Sequence, residues 1–588
     1  MTSKKELFRE ILSHLKDLDL SNPDKAKYEF NRIKRDILRE KKITDEIPGN
    51  VEISNYATPE EIALYSDILS IKPMRTASGV SVVAVMSKPH PCPHGKCIFC
   101  GGGVDSVFGS VPQSYTGYEP ATRRAIRNNY DPYIQMMNRL EQYTVLGKDP
   151  EKVELIIMGG TFPSFPDEYQ LEFVYFCFKA MNDFSKLFYR RKSIFSRDKT
   201  FDLKRFREFF ELPGDIDDES RSASIRKKLL AEKSRGTNER KKTSRQLWKA
   251  LEREQHRNET SKIKCVGLTL ETRSDVITVE KADFMLRLGC TRIELGIQSV
   301  YDNILRDVNR GHGTKENIEA ISILRDHGFK LNFHMMPGLP GVSKEDDVKS
   351  LLMLFQDDRY RPDMLKIYPC MVIEGTKLFE MYKRGEFRPL STKDAAEIII
   401  ELKKKIPSYC RIMRVQRDIP TERTVAGVGM TNLRQYIDEA MKKENIECNC
   451  IRCKEPKGNR ISDDIKIKEI TYDANGGTEI FIYAHDEKND YILGFCRLRI
   501  PNRSLREEIT PESALVRELH VYGLLAAAGS ESNVQHRGLG TRLLKRAEKI
   551  AEGYGRRKII VISGVGVREY YRKKHSYRKE GPYMVKRL

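Results

Sequence analysis

The chain has 588 residues, 39% of them hydrophobic and 32% charged, a length that calls for three or four domains and not one core. Mean hydropathy is -0.55 and no apolar run approaches the roughly 18 residues of a membrane helix, which excludes a membrane-spanning protein. Lys and Arg outnumber Asp and Glu by 104 to 84; the net charge of +20 points to a polyanionic partner.

The start, MTSKKELFREILSHL, is charged throughout and lacks the apolar stretch of a secretion signal, so a cytoplasmic location is expected. Residues 1–75 read as a polar helical region. Arg32, Arg35, Arg39 and Lys42 recur at helical spacing and share one face, either a solvated surface or an arm for phosphates. Residues 76–375 alternate β-rich runs with helix-length segments. Six runs (VSVVAVM, VELIIMGG, CVGLTLET, TRIELGIQS, LNFHMMPG and MLKIYPC) predict parallel βα units with a site at the C-terminal strand ends. A charged stretch, about 185–262, reads as a surface excursion and carries the only tryptophan, Trp248. Residues 376–460 read as a linker ending in ECNCIRCKE. Residues 461–588 turn to strands with one helix between the last two, a second α/β domain.

The twelve cysteines are clustered, which in an intracellular chain reads as metal ligation and not disulfides. Cys92, Cys97 and Cys100 stand at C-x4-C-x2-C after the first run. Zinc wants a fourth ligand, for which His90 and His94 are near in sequence. A [4Fe-4S] cluster on three cysteines instead leaves one iron open to chelate S-adenosylmethionine. Gly159 and Gly160 end the second run, where a glycine pair can lie against the methionine amino group or simply make a turn. Glu294 and Gln298, in IELGIQS, are candidates for the adenosyl part. Near the C-terminus, QHRGLGT opens a helix after the run VRELHVYG. Gln535, Gly538, Leu539, Gly540 and Thr541 would turn free N–H groups toward a pyrophosphate. Glu518, Leu519, His520 and Val521 would run beside the pantetheine of acetyl-CoA, with Tyr570 and Tyr571 near the thioester.

These segments, with SYTGYEP, LETRSD, NRGHGT, HMMPGLPG, LKIYP, RVQRDIP and GPYMVKR, closely resemble the catalytic subunit of Elongator in its single-chain archaeal and bacterial form. The resemblance covers about 80–588 apart from the charged stretch. It implies an α/β fold: a partial (βα)6 TIM-like radical SAM barrel plus a GCN5-related N-acetyltransferase (GNAT) domain, behind a helical N-terminal region. It also implies a tRNA anticodon stem-loop as substrate and acetyl-CoA as second cofactor. A carboxymethyl group derived from the acetyl methyl would go to carbon five of the wobble uridine. By the same resemblance Lys152 looks like a coenzyme A contact and Tyr571 a second. Lys366 and Tyr368, in LKIYP, would position substrate. A homodimer or Elongator-like partners are expected.

Cys448, Cys450 and Cys453 form a second trio, C-x-C-x2-C, which with Cys410 upstream would make a structural zinc site. The remaining cysteines read as buried small residues. Two other readings stay open: a protein lysine acetyltransferase with a merely structural iron–sulfur domain, and a non-catalytic tRNA scaffold.

Overall fold

A computed structural model describes residues 4–43, 47–54, 56–69, 79–191, 199–214, 218–236, 243–457, 459–522 and 538–588. Four helices at the N-terminus, Lys4–Ser13, Pro23–Glu40, Asn50–Ser54 and Pro59–Leu69, close over a small core of their own built on Phe8, Ile11, Phe30, Leu38 and Ile53. The second helix starts at Asn22, whose side chain accepts the Lys25 N–H at 3.1 Å. Arg32, Arg35 and Arg39 lie exposed along it. Lys42 falls beyond its last residue at φ +58°, so the predicted stripe is three arginines and a lysine off the helix.

Seven parallel strands make the central sheet: β1 (Ser81–Met86), β2 (Lys152–Met158), β3 (Lys264–Thr272), β4 (Arg292–Gln298), β5 (Lys330–Met335), β6 (Met364–Ile367) and β7 (Arg411–Arg414). They pair in chain order, β1 through β7, as in an open barrel. Six were expected; β7 comes from the stretch read as linker. Alternation sorts the side chains. Leu155, Ile157, Ile293, Leu295, Leu331 and Phe333 enter the main core. The alternate positions face the lumen.

The charged stretch 185–262 is more structured than a surface excursion. Its helices Leu203–Phe210, Glu219–Ser234 and Ser244–Glu259 bury Phe206, Phe210, Leu229 and Leu251. The last of them starts with a capping box at Thr243 and Gln246. It packs along the helix Asp167–Phe188, where Asn182 donates to Glu254 at 2.7 Å. Most charge lies on the outer faces, with Glu254 and Glu259 buried and partnered, which is why apolar content understated the order. Trp248 lies under the Arg287 guanidinium at 3.8 Å.

The C-terminal sheet holds β8 (Ile465–Ala474), β9 (Gly477–Asp486), β10 (Tyr491–Ile500), β11 (Ser513–Val521), β12 (Lys558–Val561), β13 (Arg578–Glu580) and β14 (Tyr583–Arg587). Its order is β8-β9-β10-β11-β12-β14-β13. Only β11 and β12 run parallel, and their pairing stops at Val516–Val561. Arg517–Val521 therefore continues without a strand partner on that side, and the sheet splays.

This sheet docks on the N-terminal mouth of the barrel. Arg517 pairs with Asp363, just before β6, and donates to the Phe329 carbonyl, just before β5, at 2.6 Å. Arg497 donates to the Tyr409 carbonyl, ahead of β7, at 2.8 Å. Arg499 bonds Asp326 at 2.6 Å. Arg499, Arg517, Asp326 and Asp363 are all fully buried, each charge matched. A Cβ at Gly564 would collide with the carbonyl of Val266 in β3, so backbones touch there.

Candidate radical and acetyl sites

The first trio sits on the loop that leaves β1 at the C-terminal mouth. Tight turns shape it, Gly95 N–H to the Cys92 carbonyl and Cys100 N–H to that of Cys97, both 3.0 Å. Polar groups meet each sulfur. Thr161 Oγ1 is 3.7 Å from Cys92 Sγ, His94 Nε2 is 3.3 Å from Cys97 Sγ, and Gln113 Nε2 donates to Cys100 Sγ at 3.4 Å. His94 is in turn 3.0 Å from Arg273, and its ring is pulled down to about 4 by burial and by the Arg273 and Arg310 charges. His94 is thus held as a neutral neighbour of Cys97; His90 stacks on Phe165.

A tetrahedral zinc with Zn–S near 2.3 Å holds its sulfurs about 3.8 Å apart. Among the described residues only Cys448, Cys450 and Cys453 bring all ligand atoms within 4.8 Å of one another. The first trio does not meet that spacing, so its three sulfurs are not gathered round one tetrahedral ion. The second trio has the spacing of one ion. Cys410 does not join it: its carbonyl accepts the Ile451 N–H at 3.0 Å, but its sulfur is buried outside the group.

Gly159 and Gly160 close β2 at the same mouth, at φ +135° and +90°. A Cβ at Gly159 would collide with Ser87, and one at Gly160 would lie 3.0 Å from the Gln113 carbonyl. Both positions demand glycine. Glu271, on β3, accepts the Gly159 N–H at 3.3 Å and the Tyr115 hydroxyl at 2.8 Å.

Glu294 and Gln298 are not neighbours at a strand end. Gln298 ends β4 at φ +68°, beside Ser299, Tyr301, Met335 and Met336 in a small pocket. Its Oε1 is buried without a hydrogen-bond partner, a free acceptor where an adenosyl group could be received. Glu294 lies mid-strand, about 13 Å lower at 3.3 Å per residue. There it pairs with Lys366 and accepts from Asn332 at 3.2 Å, with His334 Nε2 at 3.1 Å. Burial would raise the Glu294 carboxyl, yet Lys366 and His334 hold it well below the carboxylate range. Burial and Lys366 together lower His334, which keeps that ring neutral. Tyr368 packs edge-on to His334 at 5.4 Å. The charge of Lys366 is therefore committed to Glu294.

At the other mouth, Lys152 opens β2 and is exposed, on the side where the C-terminal sheet docks. Glu518, Leu519, His520 and Val521 form the end of β11 that pairs with β10 but has run past β12, half-buried. Arg497 donates to Glu518 at 2.9 Å. Burial would raise that carboxyl, but Lys330 and Arg497 hold it down as a carboxylate. Gly538 takes φ +68° and caps the helix Leu539–Gly553, so Leu539, Gly540 and Thr541 form its first turn and expose unbonded N–H groups. Gln535 lies outside the described residues. Tyr570 reaches this turn: its hydroxyl stands 3.1 Å from where a Gly540 Cβ would be and bonds Thr541. Tyr571, predicted to share the cofactor, instead packs in the domain core beside Tyr577, 5% exposed. Neighbouring residues on a helix point about 100° apart, so only one of the pair can face the turn.

Gln113, Tyr115, Glu271, Arg273 and His334 were missed by sequence reasoning. Charged or polar residues at alternate positions inside LETRSD and LNFHMMPG were the available signal, since a packed barrel would place apolar residues there.

Comparison with known proteins agrees with this arrangement. The Radical SAM superfamily matches residues 239–354, the Radical SAM C-terminal domain 362–443 and the acetyltransferase (GNAT) family 444–577. The tRNA uridine(34) acetyltransferase of Methanocaldococcus infernus is 42% identical over the whole of both chains. Elongator complex protein 3 of Homo sapiens is 38% identical, covering 92% of this chain and 90% of that one. The chain belongs to the Elongator protein 3 family. The solved structure of the archaeal Methanocaldococcus infernus Elp3 with an N-terminal deletion superposes with a TM-score of 0.68 at 37% identity, covering 87% of this chain and 100% of that one. Elongator protein 3 membership joins a radical SAM domain to a GNAT domain in one enzyme, as the two mouths suggest. No helix among the described residues is long and apolar enough to cross a membrane.

Proposed function

We propose that this chain modifies the wobble uridine of tRNA, leaving on carbon five a carboxymethyl group derived from acetyl-CoA. One observation carries this reading above all: a chain matched end to end by a tRNA uridine(34) acetyltransferase holds both a cysteine trio on the barrel mouth and a splayed acetyltransferase sheet. A [4Fe-4S] cluster with S-adenosylmethionine would supply a 5′-deoxyadenosyl radical at the C-terminal mouth.

The chain's own residues then divide the work. Cys92, Cys97 and Cys100 would hold the cluster, and Gly159 and Gly160 give backbone room beside it. Gln298 would orient the adenosyl group. Glu294, Lys366, His334 and Tyr368 would position the reacting groups without titrating near neutrality. The Leu539–Thr541 turn would receive the coenzyme A phosphates, with Lys152 opposite and Tyr570 near the acyl end. Cys448, Cys450 and Cys453 would bind one structural zinc. The exposed Arg32, Arg35 and Arg39 and the net charge of +20 suit an RNA backbone. Twelve free thiols suit a reducing, cytoplasmic setting.

The deciding experiment is mass spectrometry of tRNA nucleosides after anaerobic reaction with S-adenosylmethionine, acetyl-CoA and a reductant. A carboxymethyl adduct on uridine is expected. Acetylated lysine on peptides with no tRNA product would overturn the reading.

A further inference from the structure

The second trio is joined to the strand end assigned to acetyl-CoA by an unbroken run of side-chain contacts. β7 is stitched to the loop that carries the trio. The Ile451 N–H donates to the Cys410 carbonyl at 3.0 Å, and the Ile412 N–H donates to the Cys450 sulfur. Between Cys410 and Ile412 stands Arg411. Its Nη1 meets the carboxylate of Glu455, two residues past Cys453, at 2.8 Å. The same nitrogen donates to the Tyr522 hydroxyl, also at 2.8 Å. The Arg411 and Glu455 side chains are only 17% and 16% exposed, so solvent screens the pair little.

Tyr522 follows β11 directly and is 8% exposed. Its N–H donates to the Leu493 carbonyl of β10 at 3.0 Å, which fixes its backbone. Its ring meets the His520 ring edge-on at 4.6 Å, and Phe495 stacks on His520 at 5.6 Å. His520 is thus framed by two aromatic rings, one of them tied to Arg411. The loop holds Glu455 weakly by itself. Ile451–Lys454 is a single helical turn with no side-chain cap at Cys450. Helices that short are not stable alone in water. Three sulfurs drawn onto one ion would fix the turn, and with it the carboxylate. Glu455 then sets Arg411, Arg411 sets the Tyr522 hydroxyl, and Tyr522 sets His520.

We propose that Arg411 is a positioning residue that couples the second trio to the acetyl-CoA site. Metal at Cys448, Cys450 and Cys453 tightens acetyl-CoA binding through Glu455, Arg411 and Tyr522. This rests on the acetyl-CoA reading above, and it gives the trio a task beyond stability.

Calorimetric titration of the full chain with acetyl-CoA tests it, in a cycle of the parent, Cys450→Ala, Tyr522→Phe and the double variant. Tyr522→Phe removes one hydroxyl, keeps the ring and should leave zinc content unchanged. Each single variant should bind acetyl-CoA about fivefold more weakly, at the low end of couplings between sites. The double variant should bind no more weakly than either single one, since both cut the same chain of contacts. Parent-level affinity in Tyr522→Phe overturns the proposal, and so does an additive loss of about 25-fold in the double variant. A parent that binds no acetyl-CoA would sink the acetyl-CoA reading itself. A parent that binds while Tyr522→Phe matches it sinks the coupling alone. Linkage supplies a second measurement that does not depend on how the cysteine variant folds. Acetyl-CoA should raise the parent's zinc affinity by the same factor, read in competition with a chelator, and should not do so in Tyr522→Phe. Zinc affinity indifferent to acetyl-CoA in the parent would also overturn the proposal.

Discussion

Cys92, Cys97 and Cys100 stand apart on a mouth loop, each sulfur met by a hydroxyl, an amide or a ring nitrogen. Cys448, Cys450 and Cys453 crowd within 4.8 Å of one another, with the Lys403 ammonium nearby and bonded to Asp438. Their sequence spacings differ by a few residues, yet the geometries suit different metals. A wide trio with tuned surroundings leaves room for chemistry; a compact one closes on an ion and holds a fold together.

That contrast can be broken at either trio. The largest effect is expected from Cys97→Ala, which should reduce 5′-deoxyadenosine release to background while leaving zinc content and melting temperature near the parent. Loss of zinc in that variant would merge the two sites. Cys450→Ala should do the reverse: zinc is lost by elemental analysis, iron is kept, and stability drops by roughly 3 kcal/mol. Unchanged stability would remove the structural role.

The smallest effect comes from Asp347, which lines the Gln298 pocket on the side of the wide trio and accepts the Gly338 N–H at 2.7 Å. Burial pushes its carboxyl up to about 7. The folded chain then holds a proton that the unfolded chain releases near 3.8, so stability rises as pH falls from about 7 toward 4. Asp347→Asn keeps the hydrogen bond and removes the charge. It should be more stable than the parent at pH 8 by about 2 kcal/mol, with the gap closing by pH 4. A constant gap across that range in thermal melts would show that the carboxyl does not titrate there.

Much of this was legible because strands and glycine turns announce themselves locally. The six long runs became β1–β6, and the Gly538 turn opened its helix as read. The misses share a physical origin. β7 is four residues, RIMR, and the arginines at its two ends disguise a strand in which only Ile412 is fully buried. Glu294 and Gln298 belong to one motif, but a strand spreads them along the barrel. Tyr570 and Tyr571 are adjacent in sequence and opposed on a helix, and only packing tells which one meets the turn. Cys410 precedes β7 and stays outside the group of three sulfurs that lie within 4.8 Å of one another.

The matched charges at the domain seam carry a consequence for heredity as much as for catalysis. Asp326, Asp363 and Glu259 belong to the radical half, and their arginines, Arg499, Arg517 and Arg568, belong to the acetyl half. Cutting the gene between the halves would leave buried carboxylates bare on one product and buried guanidiniums bare on the other. Neither fragment could shed that burden by a single substitution, so the fusion is a ratchet: easily kept, and hard to undo by gene fission.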